Sequence, residues 1–327
     1  MIKVACPGCD KKYSVPDEKI PAGKTLDLPC PACKTIIKIT AAGNTYNDDQ
    51  EKGQELFKKI IKTSVALPPM PEIMAKATKI LSDDNAGFKD VGDVLETDQA
   101  MATRVLKLAN SAYYGLSVPV STVQQASALL GFQTLIELIT VVSTSKMMGT
   151  SLKGYDISSS EMWIHSLSVA TASKLIAEKN HPDLASDAFN AGLIHDSGMI
   201  IIDEYIEKNK EGYRNIVNNG SSIHSAEKQI LGFNHAEIAS EFFKKWNLPS
   251  SQTKAIKFHH HPQDSEKDML SYILHVADYI VMSDSPEKNY RLSEGSADIV
   301  GIVEEDTESI FNETQEAVKS IIENIKS

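Results

Sequence analysis

The sequence predicts a mostly α-helical protein that begins with a small β unit. From Glu55 to Met148 the apolar residues recur three or four positions apart, which is the period of an amphipathic helix. All four cysteines fall within the first 33 residues. All nine histidines fall between His165 and His275, a window of 111 residues in a chain of 327. These patterns indicate a cysteine-bound head, an all-α body and one histidine-rich region within it.

Composition and charge exclude several classes of protein. An apolar content of 42% in 327 residues is enough for a sizeable core and roughly two domains. The net charge of −11 argues against a dedicated binder of nucleic acid or anionic membrane. No apolar run approaches the roughly 20 residues of a membrane span, and the first residues lack the apolar region of a signal peptide. We therefore expect a cytoplasmic protein without a membrane segment.

The cysteines form two C-x-x-C pairs, Cys6-Pro-Gly-Cys9 and Cys30-Pro-Ala-Cys33, separated by 20 residues. Four thiolates suit tetrahedral Zn²⁺, and a unit of ~40 residues needs such a staple to fold. A disulfide pair or unrelated thiols are the alternatives. The segments after Tyr13 and Thr35 predict short strands. Residues 1–40 resemble the bacterial zinc-ribbon family, and this resemblance implies a structural Zn²⁺ held by these four cysteines.

The charge of the head favours a protein-contact or structural role over nucleic-acid binding. Residues 1–40 hold seven Lys against four Asp or Glu, and a tetrathiolate zinc leaves a net charge of about +1. Tyr13 is the sole aromatic residue there, so base stacking has little support. Residues 41–54 are polar and aperiodic, which predicts a linker.

Local signals place the first helices of the body. Pro71 lies near the first turn of one predicted helix. Asp98 is the expected N-cap of the next helix, which ends at Asn110. Ser121-Thr-Val-Gln124 is a capping box for a third helix, and Gly131 ends it. Beyond Asp284 the apolar residues again recur at helical spacing, which predicts C-terminal helices packed on the histidine-rich half.

Three segments of the body resemble the HDOD domain family of bacterial all-helical signalling modules. They are Leu67-Pro-Pro-Met-Pro, Thr97-Asp-Gln-Ala-Met-Ala-Thr-Arg-Val-Leu-Lys-Leu-Ala-Asn-Ser-Ala-Tyr-Tyr-Gly, and Val123-Gln-Gln-Ala-Ser-Ala-Leu-Leu-Gly. The resemblance implies an HD-like helical bundle that acts as an output or scaffold module for signalling proteins. It divides the body into an N-terminal helical half at 55–150, an HD-like half at 151–282 and C-terminal helices at 283–327.

Two core positions indicate a metal site in the HD-like half. His195 and Asp196 are adjacent within the apolar run from Asn190 to Ile200, where burial of a polar pair needs a compensating partner such as a metal ion. His165 shares its helix face with core residues; a lone histidine of this kind is more often only hydrogen-bonded. HD phosphohydrolases, however, bind their first metal in the sequence order His165, His195-Asp196 and Asp278, so the resemblance implies this ligand set.

A second metal is implied by resemblance to HD-GYP phosphodiesterases. His235 follows the predicted cap Asn234, and His259 and His260 end a helix before Pro262. In that family the corresponding histidines hold or border the second metal, with Asp196 as the bridge. Imidazole and carboxylate ligands suit Fe, Mn, Zn or Ni. The alternative is that these histidines persist as packing groups without a metal. We expect His261 to face solvent, and the remaining histidines, at 181, 224 and 275, to be non-ligands.

The sequence departs from active HD-GYP enzymes at two places. Ser197-Gly198-Met199 replaces the Ile-Gly-Lys whose lysine neutralises phosphate, and the Gly-Tyr-Pro loop is missing. Loss of one such cation costs roughly 3 kcal/mol, or ~100-fold in rate. The leading hypothesis is therefore a signalling module that binds partner proteins, tuned by metal or a nucleotide. The alternative is a metal-dependent phosphohydrolase, with His195 and Asp196 in the reaction, acting on a nucleotide such as cyclic di-GMP.

Overall fold

The structure, a computed structural model, describes residues 2–6, 11–16, 26–32, 36–39, 46–63, 95, 98–147, 149–283 and 291–326. Two β-hairpins precede a bundle of helices. The sequence predicts the helical body and short strands near Tyr13 and Thr35, and the structure adds the strand that pairs with each. The helix predicted at Pro71 lies outside the described residues. Among those residues, no helix combines the length and apolar character that crossing a bilayer requires.

The N-terminal head consists of two antiparallel hairpins. Strands β1 (Ile2–Ala5) and β2 (Lys12–Val15) pair with Val4 opposite Tyr13, and β3 (Leu26–Pro29) pairs with β4 (Ile36–Ile39). Cys6 and Cys30 are fully buried in a small core. The Tyr13 hydroxyl lies 3.2 Å from Cys30 Sγ. Cys9 and Cys33 lie outside the described residues. The arrangement of the four cysteines around a zinc ion therefore stays a prediction.

Fourteen α-helices lie within the described ranges from residue 46 to 326, and we number them in chain order. Helices α1 to α4 belong to the N-terminal half, α5 to α12 to the HD-like half, and α13 and α14 follow. Their bounds are α1 Tyr46–Thr63, α2 Gln99–Ala109, α3 Val123–Leu130, α4 Phe132–Met147, α5 Ser159–Asn180, α6 Ala185–Ile194, α7 Ser197–Lys208, α8 Lys210–Asn218, α9 Ile223–Leu231, α10 His235–Lys245, α11 Ser250–Phe258, α12 Met269–Met282, α13 Ser296–Val300 and α14 Glu304–Lys326.

One hydrophobic core runs through both halves of the helical body. Its buried members extend from Ile60 in α1 to Ile321 in α14. The α4 helix packs on α6, and α14 packs mainly on α5 with further contacts to α2 and α12. A buried ion pair joins the halves, because Lys174 Nζ of α5 lies 2.6 Å from the Glu137 carboxylate of α4. The histidine-bearing helices are therefore held by a continuous packed body.

The predicted linker at 41–54 differs from the structure, because α1 already begins at Tyr46. This segment has few apolar residues, so apolar periodicity does not indicate a helix there. Gly53 packs against the backbone at Leu231, and a Cβ there would lie 2.7 Å from the Leu231 carbonyl oxygen. This part of α1 is therefore in close contact with the end of α9.

The capping signals are confirmed at Asp98 and corrected at α3. Asp98 accepts the Met101 N–H at 3.0 Å. The N-cap of α3 is Thr122 rather than Ser121, and its hydroxyl accepts the Gln125 N–H at 3.1 Å. Both residues fit the same sequence pattern, so the pattern alone leaves the register open. The two hydrogen bonds between the Asn110 side chain and the Val120 backbone fix how the chain enters the helix.

Gly131 ends α3 in a conformation that only glycine adopts readily, with φ 83° and ψ 167°. We expect Gly131→Ala to lower the free energy of unfolding by about 2 kcal/mol, because a Cβ is strained there even though space is open. The matched control is Gly212→Ala inside α8, where a Cβ meets no atom within 4 Å. That change should be neutral or stabilise by ~0.5 kcal/mol. Urea unfolding followed by circular dichroism measures both, and equal stabilities would contradict the prediction.

Candidate metal centre

His195 and Asp196 occupy the junction between α6 and α7. Two glycines let this junction approach its neighbours closely. A Cβ on Gly192 would lie 2.7 Å from Ala170 Cα of α5, and one on Gly198 would lie 2.0 Å from the His235 carbonyl oxygen of α10. Asp196 stands at the N-cap position of α7 without a side-chain cap bond. Its carboxylate is therefore available to the surrounding histidines.

One oxygen of Asp196 faces the ligand set predicted for the first metal. Asp196 Oδ2 lies 3.2 Å from His195 Nε2 and 3.4 Å from His165 Nε2. The same His165 nitrogen lies 3.4 Å from Asp278 Oδ1 of α12. The ligand atoms of His165, His195 and Asp278 all lie within 4.8 Å of one another. The structure thus brings together residues from α5, the α6–α7 junction and α12.

The other oxygen of Asp196 faces the set predicted for the second metal. Asp196 Oδ1 lies 3.1 Å from His235 Nε2 and 3.6 Å from His259 Nε2. His260 Nε2 lies 2.8 Å from His235 Nε2. His235 is the first residue of α10, behind a capping box of Asn234 and Glu237, as the sequence predicts. These four residues offer ligand atoms within 4.8 Å of one another.

Ring N–H groups are anchored so that the opposite nitrogen points into the cluster. His195 Nδ1 donates to the Gly192 carbonyl at 2.7 Å, and His259 Nδ1 donates to the Ile256 carbonyl at 2.7 Å. His235 Nδ1 donates to the Glu227 carboxylate at 2.7 and 2.9 Å. Metal-binding histidines in proteins show this pattern, because the anchored N–H fixes the ring orientation and leaves Nε2 for the ion.

Burial and neighbouring charges set the pKa values of the cluster. Burial alone would raise the pKa of Asp196, but His195 and His235 hold it well below its usual range. Burial lowers the pKa of His235, yet the carboxylates of Glu227 and Asp196 outweigh it and raise the pKa to about 10. Burial lowers the pKa of His259, and burial with the adjacent imidazoles holds that of His260 well below the ordinary value.

The donor set fits divalent metal ions. His195 Nε2 and Asp196 Oδ1 are buried and make no hydrogen bond to any residue that the structure describes. Leaving such atoms unsatisfied is costly, and a cation satisfies both. The lowered pKa values of His259 and His260 agree with metal binding, because neutral imidazole is the form that binds metal. The raised pKa values of His195 and His235 mean that a metal ion would displace a proton there. Nitrogen and oxygen donors of this kind suit Fe, Mn, Zn and Ni alike.

The cluster opens into a pocket with a cavity volume of about 70 Å³ that communicates with solvent. His165, Asp196, His235, His260 and Asp278 line its floor. Its walls are apolar and hydroxylated: Met199, Val217, Ile223, Met282, Ser221 and Ser222. No lysine or arginine of the described chain lines it.

His224, His261 and His275 lie beside the cluster without joining either ligand set, and His181 follows the end of α5. His224 stacks on His260 with ring centroids 4.2 Å apart, and the pocket reaches it. His275 Nδ1 donates to the His259 carbonyl at 2.6 Å. His261 is half-buried and packs edge-on against His224 at 5.1 Å, so the expectation that it faces solvent is wrong. The turn that follows the helix folds its ring back onto α9.

Glu227 is a buried residue that contacts the cluster and is not among the residues predicted from the sequence. Glu227 lies in α9, four residues after Ile223 and four before Leu231, so it occupies the apolar face of its helix. A carboxylate at such a position is costly without partners. The spacing of four residues from Ile223 and from Leu231 is therefore the sequence pattern that could have identified Glu227 as a buried carboxylate.

Fold and site together define a class: an all-α protein with histidines and aspartates gathered between helices at one pocket. Comparison with known sequences identifies the family. The HDOD domain model matches residues 67–262, more than half of the 327-residue chain, and a zinc-ribbon domain model matches residues 3–38. The chain therefore belongs to the HDOD domain family and carries an N-terminal zinc-ribbon domain.

Solved structures share the fold at low sequence identity. A Marinobacter aquaeolei VT8 protein, provisionally named a signal transduction protein, is 19% identical with a TM-score of 0.67, over 87% of this chain and 67% of that one. An HDOD domain protein of unknown function from Geobacter sulfurreducens is 23% identical with a TM-score of 0.65, over 86% and 94%. A Shewanella amazonensis SB2B protein, provisionally named a phosphohydrolase, is 24% identical with a TM-score of 0.63, over 83% and 97%.

A curated relative extends beyond this chain. A protein of Treponema pallidum (strain Nichols), described as uncharacterized, is 23% identical over 250 residues. The match covers 73% of this chain and 47% of the relative, so the chain spans about half the length of that protein.

Proposed function

We propose that this HDOD protein is a metal-binding signalling module whose HD-like half, residues 151–282, holds two divalent cations. The observation that carries the proposal is the position of Asp196, which turns one carboxylate oxygen toward each of two ligand sets. A carboxylate placed in this way bridges two ions in dinuclear sites. The fully buried His195 and His259 add fixed ring orientations, which supports selection for binding over mere packing.

The residues divide between two subsites. His165, His195, Asp278 and one oxygen of Asp196 would hold the first ion. His235, His259, His260 and the other oxygen of Asp196 would hold the second. Divalent cations in such a site supply Lewis acidity toward phosphoryl oxygens. The protein groups orient the ligand atoms, and burial keeps His259 and His260 neutral.

The pocket wall favours ligand or partner binding over efficient hydrolysis. Met199 lines the pocket where the resemblance to HD-GYP enzymes expects a lysine. Without that cation, developing charge on phosphate loses a stabilising contact worth roughly 3 kcal/mol, or ~100-fold in rate. The proposed role is therefore regulatory: a metal-dependent helical platform for signalling proteins, with a nucleotide as the candidate small ligand. Thiolates at the zinc ribbon fit a cytoplasmic location.

A second candidate function is a metal-dependent phosphohydrolase acting on a nucleotide. The complete ligand set and its opening into a solvent-accessible pocket favour it, since a site kept only for packing needs neither. Its catalytic groups would be those at His195 and Asp196. The missing lysine ranks it below the regulatory proposal.

Metal analysis tests the proposal directly. Purified protein is expected to hold about three metal ions per chain, one at the zinc ribbon and two in the helical body, by plasma mass spectrometry. One zinc and no other metal, even after incubation with Mn²⁺ or Fe²⁺, would contradict it. Phosphate-release and cyclic-dinucleotide assays with Mn²⁺ separate the two functions. Robust turnover that His195→Ala abolishes would establish the hydrolase instead.

A further inference from the structure

Glu227 is the buried carboxylate nearest to the second ligand set. It is fully buried in α9 and accepts hydrogen bonds from three donors. Its Oε2 atom accepts the His235 backbone N–H at 2.8 Å and the His235 ring Nδ1–H at 2.7 Å. Its Oε1 atom accepts the Tyr155 hydroxyl at 2.7 Å. A buried carboxylate requires such partners, and most of these belong to a single residue, His235.

The two bonds to His235 restrain different degrees of freedom. The backbone bond fixes the first residue of α10, and the ring bond fixes rotation of the imidazole. With Nδ1 held by Glu227, Nε2 points at Asp196 Oδ1, 3.1 Å away. His195 and His259 differ, since their Nδ1 atoms donate to carbonyls three residues earlier in their own helices. His235 begins its helix and has no preceding turn to supply such a carbonyl.

Tyr155 in turn holds Glu227. Its side chain is buried and packs edge-on against Tyr213 at 5.4 Å. Burial, followed by the charge of Glu227, raises the pKa of Tyr155 well above the usual value, so its hydroxyl keeps its proton and donates. The chain of contacts runs from Tyr155 through Glu227 to His235.

We propose that Glu227 is the positioning residue of the second metal subsite: it holds His235 with Nε2 toward the ion, and Tyr155 supports it. The proposal rests on the proposed dinuclear site. Carboxylate–histidine–metal arrangements raise the basicity of the ligand nitrogen, and their loss typically weakens metal binding 10- to 100-fold. None of the ligand sets predicted from the sequence includes either residue.

The first experiment uses protein without metal in the helical body. It measures only the hydrogen bond between His235 and Glu227. In protein with zinc at the ribbon and ¹⁵N-labelled histidine, the buried Nδ1–H of His235 should give a slowly exchanging NMR signal. Glu227→Met, which has similar volume and no charged acceptor, should abolish it. Glu227→Gln keeps an amide oxygen facing Nδ1 and should retain it. A signal unchanged in Glu227→Met would overturn the positioning role.

The second experiment measures Mn²⁺ binding by electron paramagnetic resonance. Glu227→Met should weaken the second Mn²⁺ by 10- to 100-fold while the first is unchanged, and Glu227→Gln should recover most of that loss. Tyr155→Phe should weaken it by a few-fold. Glu137→Met, another buried carboxylate, controls for general destabilisation, because it lies in α4 and pairs with Lys174. Wild-type affinity in Glu227→Met would contradict the proposal. If the wild type binds no Mn²⁺, the proposed function fails, whereas failure of the positioning role appears in the NMR signal.

Discussion

Asp196→Asn should abolish binding of both proposed metal ions while the zinc at the ribbon remains. Asp196 is the one carboxylate that faces both ligand sets in the described part of the chain. Removing one charge from a buried ionic cluster costs 3–5 kcal/mol, so we expect each ion to bind at least ~100-fold more weakly. Plasma mass spectrometry after dialysis, together with Mn²⁺ titration, measures the loss.

The control for this change is Asp203→Asn on the same helix. Asp203 lies two turns beyond Asp196 in α7 and accepts the backbone N–H groups of Lys153 and Gly154 at 3.1 and 2.8 Å. It has no contact with the histidine cluster among the described residues, so its neutralisation should leave metal content unchanged. Two ions retained in the helical body of Asp196→Asn would show that the carboxylate is not a bridge.

Gly198→Ala should destabilise the protein by about 3 kcal/mol and displace His235. The added Cβ would lie 2.0 Å from the His235 carbonyl oxygen and 2.7 Å from its carbonyl carbon. These are backbone atoms, so no side-chain rotation relieves the overlap and α7 must move away from α10. Calorimetry should show a melting temperature lower by about 10 °C. Binding of the second metal should weaken as well.

Gly212→Ala in α8 again serves as the matched glycine control. Its Cβ meets nothing within 4 Å, and both glycines lie within helices. A melting temperature of Gly198→Ala within ~2 °C of the wild type would mean that α7 and α10 are not in close contact.

Local signals in the sequence predicted where several helices begin. Asp98 caps α2, and Asn234 with Glu237 forms the predicted box that begins α10. Such caps involve residues three apart, so the chain needs no tertiary context to display them. Where two registers fitted equally well, as at Ser121 and Thr122, the sequence could not choose. The two hydrogen bonds between the Asn110 side chain and the Val120 backbone fix the chain before the helix, and Thr122 becomes the N-cap.

The histidines themselves were visible in the sequence, but their mutual arrangement was not. Spacing along the chain indicated that His165, His195 and Asp278 face the core. It could not show that Asp196 presents a different oxygen to each set, because that depends on how closely α5 and α10 approach the α6–α7 junction. The half-buried position of His261 also depends on the fold, since His224 in another helix supplies its contact.

The sequence by itself predicted the helical body and the cysteine-rich head, because periodicity, caps and residue chemistry are properties of short segments. The candidate ligands came from the resemblance to HD-domain families. Only the tertiary structure decided that Glu227 contacts His235 and that Tyr155 contacts Glu227. Contacts between residues 155, 227 and 235 involve three separate segments of the chain. They exist because packing brings α9 and α10 against the loop before α5, and no local pattern encodes that distance.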